Sequence, residues 1–308
     1  MMRIVISGAS GFIGRVLCQQ LHGDYEIVSL SRNAEQAAKT MAGSARAVTW
    51  DGWTLGDWIR EIDGAAAIVN LAGENVASDR WTSLKKERIL QSRTDCTRAL
   101  VEAIKRVNNR PAVMIQASAV GYYGPRGDEM LDEGSSGGSG FLSEVCRESE
   151  AAGSKVQTLG VRYVVIRTGV VLGAGGGALG RMIRPFRFYF GGHIGSGRQW
   201  LSWISLDDEI EAIKFLIKNQ QLKGVFNLTS PQPVTMQEFS KTLGRILRKP
   251  AWLNVPGFVA RLLLGRMAEE MLLSGQRVMP KRLKEAGFEF KYKDLEEALT
   301  ATLKGNEK

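Results

Sequence analysis

Histidine is nearly absent from this chain of 308 residues: only His22 and His193 occur. That excludes a histidine-rich metal centre, and no metal is expected. Cysteine is almost as sparse. Cys18, Cys96 and Cys146 lie far apart with no Cys-x-x-Cys pair, so neither a disulfide framework nor a zinc motif is encoded. An odd, scattered set suits a reducing compartment. Proline is low, at 8 against 35 glycines, which points to tight turns and close backbone approaches rather than a proline-rich linker. No apolar run approaches the roughly 18 residues of a membrane span. The strand pattern Arg3-Ile4-Val5-Ile6 begins at once and leaves no room for a secretory signal. A cytoplasmic protein without a membrane partner is expected.

Acid is scarce relative to base, with 41 Lys and Arg against 32 Asp and Glu, a net charge of +9. Such a balance suits nucleic acid, an anionic surface or a phosphate-rich ligand. No run of five basic residues and no nucleic-acid motif occurs, so the expected partner is an anionic small molecule and not nucleic acid.

What is present is an alternation. Short apolar runs at 2–7, 25–30, 45–50, 66–71, 112–117 and 162–168 are separated by helical patterns near 12–22, 55–62, 83–108 and 140–159. Continuous apolar strands between helices predict an α/β fold, a doubly wound parallel sheet of Rossmann type with both faces covered. The pattern changes after the glycine loop 173–177. Residues 1–173 are therefore expected to form the nucleotide-binding lobe, receiving parts of 200–230, and residues 174–308 a smaller mixed lobe. The second lobe is predicted to carry helices at 207–219, 235–248, 257–273 and 294–303. The apolar face of 257–273 is assigned to core packing.

The first strand runs into Gly8-Ala-Ser-Gly11-Phe-Ile-Gly14 and then a helix. This is a variant dinucleotide fingerprint. The glycines give a tight turn, backbone approach to a pyrophosphate and close helix-to-strand packing, and the amides of Ser10, Phe12 and Ile13 face the phosphates. An NAD site usually ends its second strand in Asp or Glu. Here Ser31-Arg32-Asn33 stands, and a guanidinium pairs with a 2′-phosphate that a carboxylate would repel. NADP(H) is therefore expected, with Arg32 on the phosphate and Ser31 or Asn33 assisting. The competing reading makes Arg32 an exposed helix-start residue. Leu71, Ala72, Gly73 and Glu74 after the fourth strand are expected along the cofactor, and Asp51 near the adenine.

Together with Ser118-Ala-Val-Gly-Tyr-Tyr-Gly124, Arg167-Thr-Gly-Val-Val-Leu-Gly173, Trp203-Ile-Ser-Leu-Asp-Asp208 and Gly224-Val-Phe-Asn-Leu228, these segments resemble the extended short-chain dehydrogenase/reductases. Asn70-Leu-Ala-Gly-Glu-Asn75, Arg80-Trp-Thr82, Ser92-Arg-Thr94 and Phe141-Leu-x-Glu-Val-Cys146 resemble more closely the atypical "epimerase family" proteins among NAD-dependent epimerase/dehydratase relatives. The resemblance implies an NADP-binding Rossmann lobe and a small C-terminal lobe, and places Arg167, Thr168 and Gly169 with the cofactor. It also implies a departure. Typical members carry a serine and then Tyr-x-x-x-Lys, the tyrosine moving a proton and the lysine holding the nicotinamide ribose. Alignment on Glu150 puts Leu142 at the tyrosine position and Cys146 at the lysine position, and neither side chain can do that work. Ser118 and Tyr122 are the remaining catalytic candidates, with Tyr123 read as structural and Cys146 as a buried thiol.

Residues 151–206 contain no Asp or Glu but seven Lys and Arg, interleaved with aromatics from Phe186 to Trp200. A cationic, ring-lined cleft suits a phosphorylated substrate such as a nucleotide sugar, with Arg187, Arg198 and Trp200 as candidate contacts. The competing reading is a solvated arginine surface over an aromatic core. His193 is read either as a substrate contact or as a turn residue. Two functions follow: an NADP(H)-dependent oxidoreductase or epimerase of a nucleotide-sugar-like or small carbonyl substrate, or a catalytically impaired NADPH-binding redox sensor or scaffold.

Overall fold

The computed structural model describes residues 1–304. Its centre is a seven-stranded parallel sheet: β1 (Arg3–Ser7), β2 (Glu26–Ser31), β3 (Arg46–Thr49), β4 (Ala67–Asn70), β5 (Val113–Ala119), β6 (Arg162–Thr168) and β7 (Gly224–Leu228). Their spatial order is β7-β6-β5-β4-β1-β2-β3. The six predicted strands are present. The seventh comes from the second half of the sequence and pairs in parallel with β6, Val225 opposite Val165.

Strands buried on both faces need apolar side chains in both directions, which is why these runs do not alternate. Ile4 and Ile6 enter one core with Leu17, Cys18 and Leu21 of α1 (Phe12–Leu21). Val5 and Ile68 enter the other with Leu100 and Ile104 of α3 (Ser83–Arg106). The sequence pattern did not mark α2 (Ala34–Met41), a short helix of good helix formers whose N-terminus is capped by the Asn33 side chain. The predicted helix at 55–62 is a single 3₁₀ turn, Asp57–Glu61. That predicted at 140–159 is α4 (Phe141–Ser154), continued by a 3₁₀ turn that Gly160 closes at φ +76°.

After the glycine loop comes α5 (Gly177–Arg187), which that loop and Pro185 hid from the sequence reading. It is followed by α6 (Leu206–Lys218), which packs on α1, and by α7 (Met236–Leu247). The fully buried Trp203 joins Leu172, Phe239, Leu243 and Leu299 in a further core cluster. Two expectations are corrected here. The segment 257–273 is not one helix packed into the core. Gly265, at φ +60°, ends α8 (Gly257–Leu264), and Phe258, Leu262 and Leu263 are exposed. His193 lies in the short strand Gly191–Ile194, not in a turn.

Candidate functional site

The site is built on the C-terminal ends of the parallel strands, where β1 stands between β2 on one side and β4 on the other. Gly8 has φ +73°, and a Cβ there would stand 2.7 Å from the Leu71 carbonyl carbon. A Cβ on Gly14 would collide with the Gly8 carbonyl oxygen and stand 2.7 Å from Ala9 Cα. Gly11 donates its N–H to the Gly8 carbonyl at 3.0 Å and begins α1 without a side-chain cap or an acid in the first turn. The helix therefore presents unshielded amides and its positive dipole end at a turn packed too tightly for a side chain at Gly8 or Gly14. Ser10 is exposed, and Ile13 is partly buried against the core. The ring of Phe12 is wedged against Gly173, Gly176 and Gly177, which explains why glycine stands at these positions of the loop.

At the end of β2, the Ser31 hydroxyl donates to the Asn33 carbonyl at 3.1 Å, and the Asn33 side chain accepts from the Gln36 amide at 2.9 Å. Both residues thus shape the start of α2. Arg32, between them, is exposed and has no hydrogen bond or ion pair among the described residues. Its charge adds slightly to the lowering of the Glu74 carboxyl. Asp51 is occupied locally, accepting from the Trp53 and Thr54 amides at 2.9 and 2.8 Å and from the Thr54 hydroxyl.

The loop after β4 backs onto the glycine turn through Leu71 and Ala72. Gly73 lies against the Arg93 guanidinium, and the Glu74 carboxylate accepts from the buried Lys85 ammonium at 2.7 Å. Lys85 holds the Glu74 carboxyl below its ordinary range.

Beyond β5 lies a buried polar cluster. Ser118 donates to Glu150 at 2.6 Å, and Arg167 donates to both oxygens of the same carboxylate at 3.0 and 2.8 Å. Arg167 also donates to the Tyr123 hydroxyl at 3.2 Å, and Tyr123 donates to Asn227 at 2.7 Å. Burial pushes the Tyr123 phenol up to about 12 against the opposing Arg167 hydrogen bond. Tyr122 stacks on the Arg167 guanidinium, 3.2 Å from ring centroid to Cζ, and its hydroxyl makes no hydrogen bond among the described residues. Thr168 donates to the buried Glu209 at 2.8 Å, and Gly169 packs against the Ser202 carbonyl. Arg167 and Thr168 are therefore held by protein partners beneath the cleft.

Comparison with known proteins agrees with this geometry. The family model of the NAD dependent epimerase/dehydratase family matches residues 4–229. The chain belongs to that family. A second model, a domain of unknown function (DUF1731), matches residues 255–302. The chain is 42% identical to the chloroplastic SDR39U1 homologue of Arabidopsis thaliana over 98% of its own length and 87% of that protein. It is 38% identical to the epimerase family protein YfhF of Bacillus subtilis over 97% of both. The crystal structure of human epimerase family protein SDR39U1 (isoform 2) with NADPH superposes with TM-score 0.87 at 33% identity, covering 98% of this chain and 99% of that one. The nucleoside-diphosphate sugar epimerase of Corynebacterium glutamicum superposes with TM-score 0.78 at 32% identity, covering 98% of this chain and 58% of that one.

In this epimerase-family chain, α4 packs on the end of β5 where the resemblance placed the tyrosine and lysine positions. Leu142 Cβ would stand 3.2 Å from a Cβ on Gly121, and the Cys146 thiol faces the Ala119 carbonyl at 3.7 Å. Burial pushes that thiol up, with the Ser118 hydroxyl opposing. Arg187 is exposed at the end of α5, Arg198 is exposed in the turn before Trp200, and the Trp200 indole donates to Asp128 at 2.7 Å beneath the Arg277 guanidinium. Phe188, Tyr189 and Phe190 are exposed beyond α5, whereas Phe186 is in the core. Sequence reasoning missed Glu150 as the partner of both Ser118 and Arg167, and Asn227 as the partner of Tyr123. The available signal was an arginine closing an apolar strand, a residue type that is rarely buried unless paired.

Proposed function

We propose that the protein binds NADP(H) and acts as an oxidoreductase or epimerase on a nucleotide-sugar-like or small carbonyl substrate. The observation that carries the cofactor assignment is Arg32. It is a guanidinium without a partner among the described residues at the end of β2, where no acid stands, beside a glycine turn packed too tightly for a Cβ at Gly8 or Gly14. The NADPH in the related human structure supports the same reading. NADP(H) supplies or accepts hydride at the nicotinamide. The chain's own part is to grip the diphosphate with the amides between Gly8 and Gly14 and to hold the 2′-phosphate with Arg32. Over β4 and β5 it lays the other half of the dinucleotide beside Ser118 and Tyr122. Ser118 donates its hydrogen bond to Glu150, so toward a ligand its oxygen can act as an acceptor, and the Tyr122 hydroxyl, without a partner among the described residues, is available to a substrate oxygen. The name of the related C. glutamicum enzyme and the acid-free segment around Arg187, Arg198 and Trp200 support an anionic substrate. Three free cysteines suit a cytoplasmic setting.

The test is to purify the protein, look for bound reduced cofactor by near-ultraviolet absorbance, and screen nucleotide sugars and carbonyl compounds for cofactor turnover. Turnover that falls in Tyr122→Phe and Ser118→Ala supports the reading. Full activity in both variants removes these residues from the mechanism.

One observation favours the second reading, an NADPH-binding sensor or scaffold: Leu142 and Cys146 supply neither proton nor charge. Tight NADPH binding with no turnover over a wide panel supports that alternative.

A further inference from the structure

Arg93 stands out among the buried and half-buried cations around β4 and β5. Lys85 is neutralised by Glu74 and Asp79, and Arg167 by Glu150. Arg93 has no carboxylate within ion-pair distance among the described residues. Its Nη1 donates to the carbonyls of Glu74 and Ile89 at 3.0 and 3.1 Å. Nε and Nη2 make no hydrogen bond, and neither is sealed from solvent. A charge kept partly buried without a counterion is costly unless a ligand group completes it.

Its place is equally specific. A Cβ on Gly73 would stand 2.7 Å from Arg93 Cζ and 3.0 Å from Nε and Nη2, so the guanidinium lies flat on a backbone left bare at that point. Its charge also acts on the thiol of Cys146, the residue standing at the lysine position. The sheet order sets which end of a dinucleotide lies there. With the 2′-phosphate at the end of β2, a cofactor crossing the turn after β1 must carry its other half over β4 and β5, where Arg93 lies on Gly73 after β4 and Ser118 and Cys146 lie at the end of β5.

We propose that Arg93 binds the nicotinamide-ribose half of the dinucleotide, supplying from α3 the cation that α4 lacks at Cys146. This rests on the NADP(H) reading above. Its free N–H groups suit the ribose hydroxyls, the carboxamide oxygen and the adjoining phosphate, all acceptors.

Two probes separate the halves: NADPH, and 2′,5′-ADP, which has only the adenosine end. Calorimetry on wild type and Arg93→Ala is expected to show NADPH affinity falling by at least about ten-fold. The 2′,5′-ADP affinity is expected to change less than about two-fold, and the rise in reduced-nicotinamide fluorescence on binding to be lost. Gly73→Ala keeps the charge but displaces the guanidinium, and gives the same pattern should Arg93→Ala melt too low to measure. Equal loss of both probes in folded variants overturns the assignment in favour of a brace for the 71–74 loop, as does no loss of either. Failure of the wild type to bind 2′,5′-ADP or NADPH overturns the cofactor reading itself, a result distinct from failure of the variants alone.

Discussion

Arg167 grips both carboxylate oxygens of Glu150, at 3.0 and 2.8 Å, from the end of β6 to the middle of α4. Ser118 donates to that carboxylate as well, so the pair fixes β5, β6 and α4 in one arrangement under the cleft. The two side chains are only 4% and 13% exposed, and removing one strands the other. Arg167→Leu is therefore expected to cost about 3–5 kcal/mol in chemical denaturation, and Arg167→Leu with Glu150→Leu to recover much of it. A single variant as stable as wild type would contradict this.

Two glycines give a controlled contrast. Gly14→Ala places a methyl group on the Gly8 carbonyl and is expected to lower stability by about 1–3 kcal/mol and abolish NADPH binding. Gly23, at φ +101°, has nothing within 4 Å of an added Cβ. Gly23→Ala should cost only the backbone strain of about 1–2 kcal/mol and leave NADPH affinity unchanged. Thermal melts and calorimetry on both variants check the pair.

Glu209 predicts a pH dependence. Burial raises its carboxyl from 4.5 to about 8 despite the Thr168 hydrogen bond. The folded chain therefore keeps a proton that the unfolded chain has already lost above 4.5. Stability from this group is intact below 4.5, falls as pH rises, and levels off above about 8, with an upper bound near 5 kcal/mol. Melting temperatures across this window should decline less in Glu209→Gln than in wild type. Parallel curves for the two proteins would contradict the assignment.

Much of the nucleotide-binding lobe was legible because its signals are local. A buried parallel strand shows as an unbroken apolar run, and the turn from Gly8 to Gly14 needs glycine at fixed offsets. The chain beyond residue 173 was less legible. The glycine loop and Pro185 concealed α5, and the apolar face at 258–263 suggested a core that Gly265 turns away from. The polar cluster was hidden for another reason. Ser118 and Glu150 are 32 residues apart and Tyr123 and Asn227 are 104 apart, so their pairing exists only once the strands are ordered. Arg93 was equally silent, since nothing in a helical Ser-Arg-Thr says which arginine lacks a counterion.

The most direct measurement is calorimetric titration of cofactor-free protein with NADPH and NADH, in wild type and in Arg32→Asp. Wild type should prefer NADPH, and the substitution should weaken NADPH by roughly ten- to a hundred-fold while NADH binds no worse or better. Unchanged NADPH affinity in Arg32→Asp, or no binding of either dinucleotide by folded wild type, would contradict recognition of the 2′-phosphate at the end of β2.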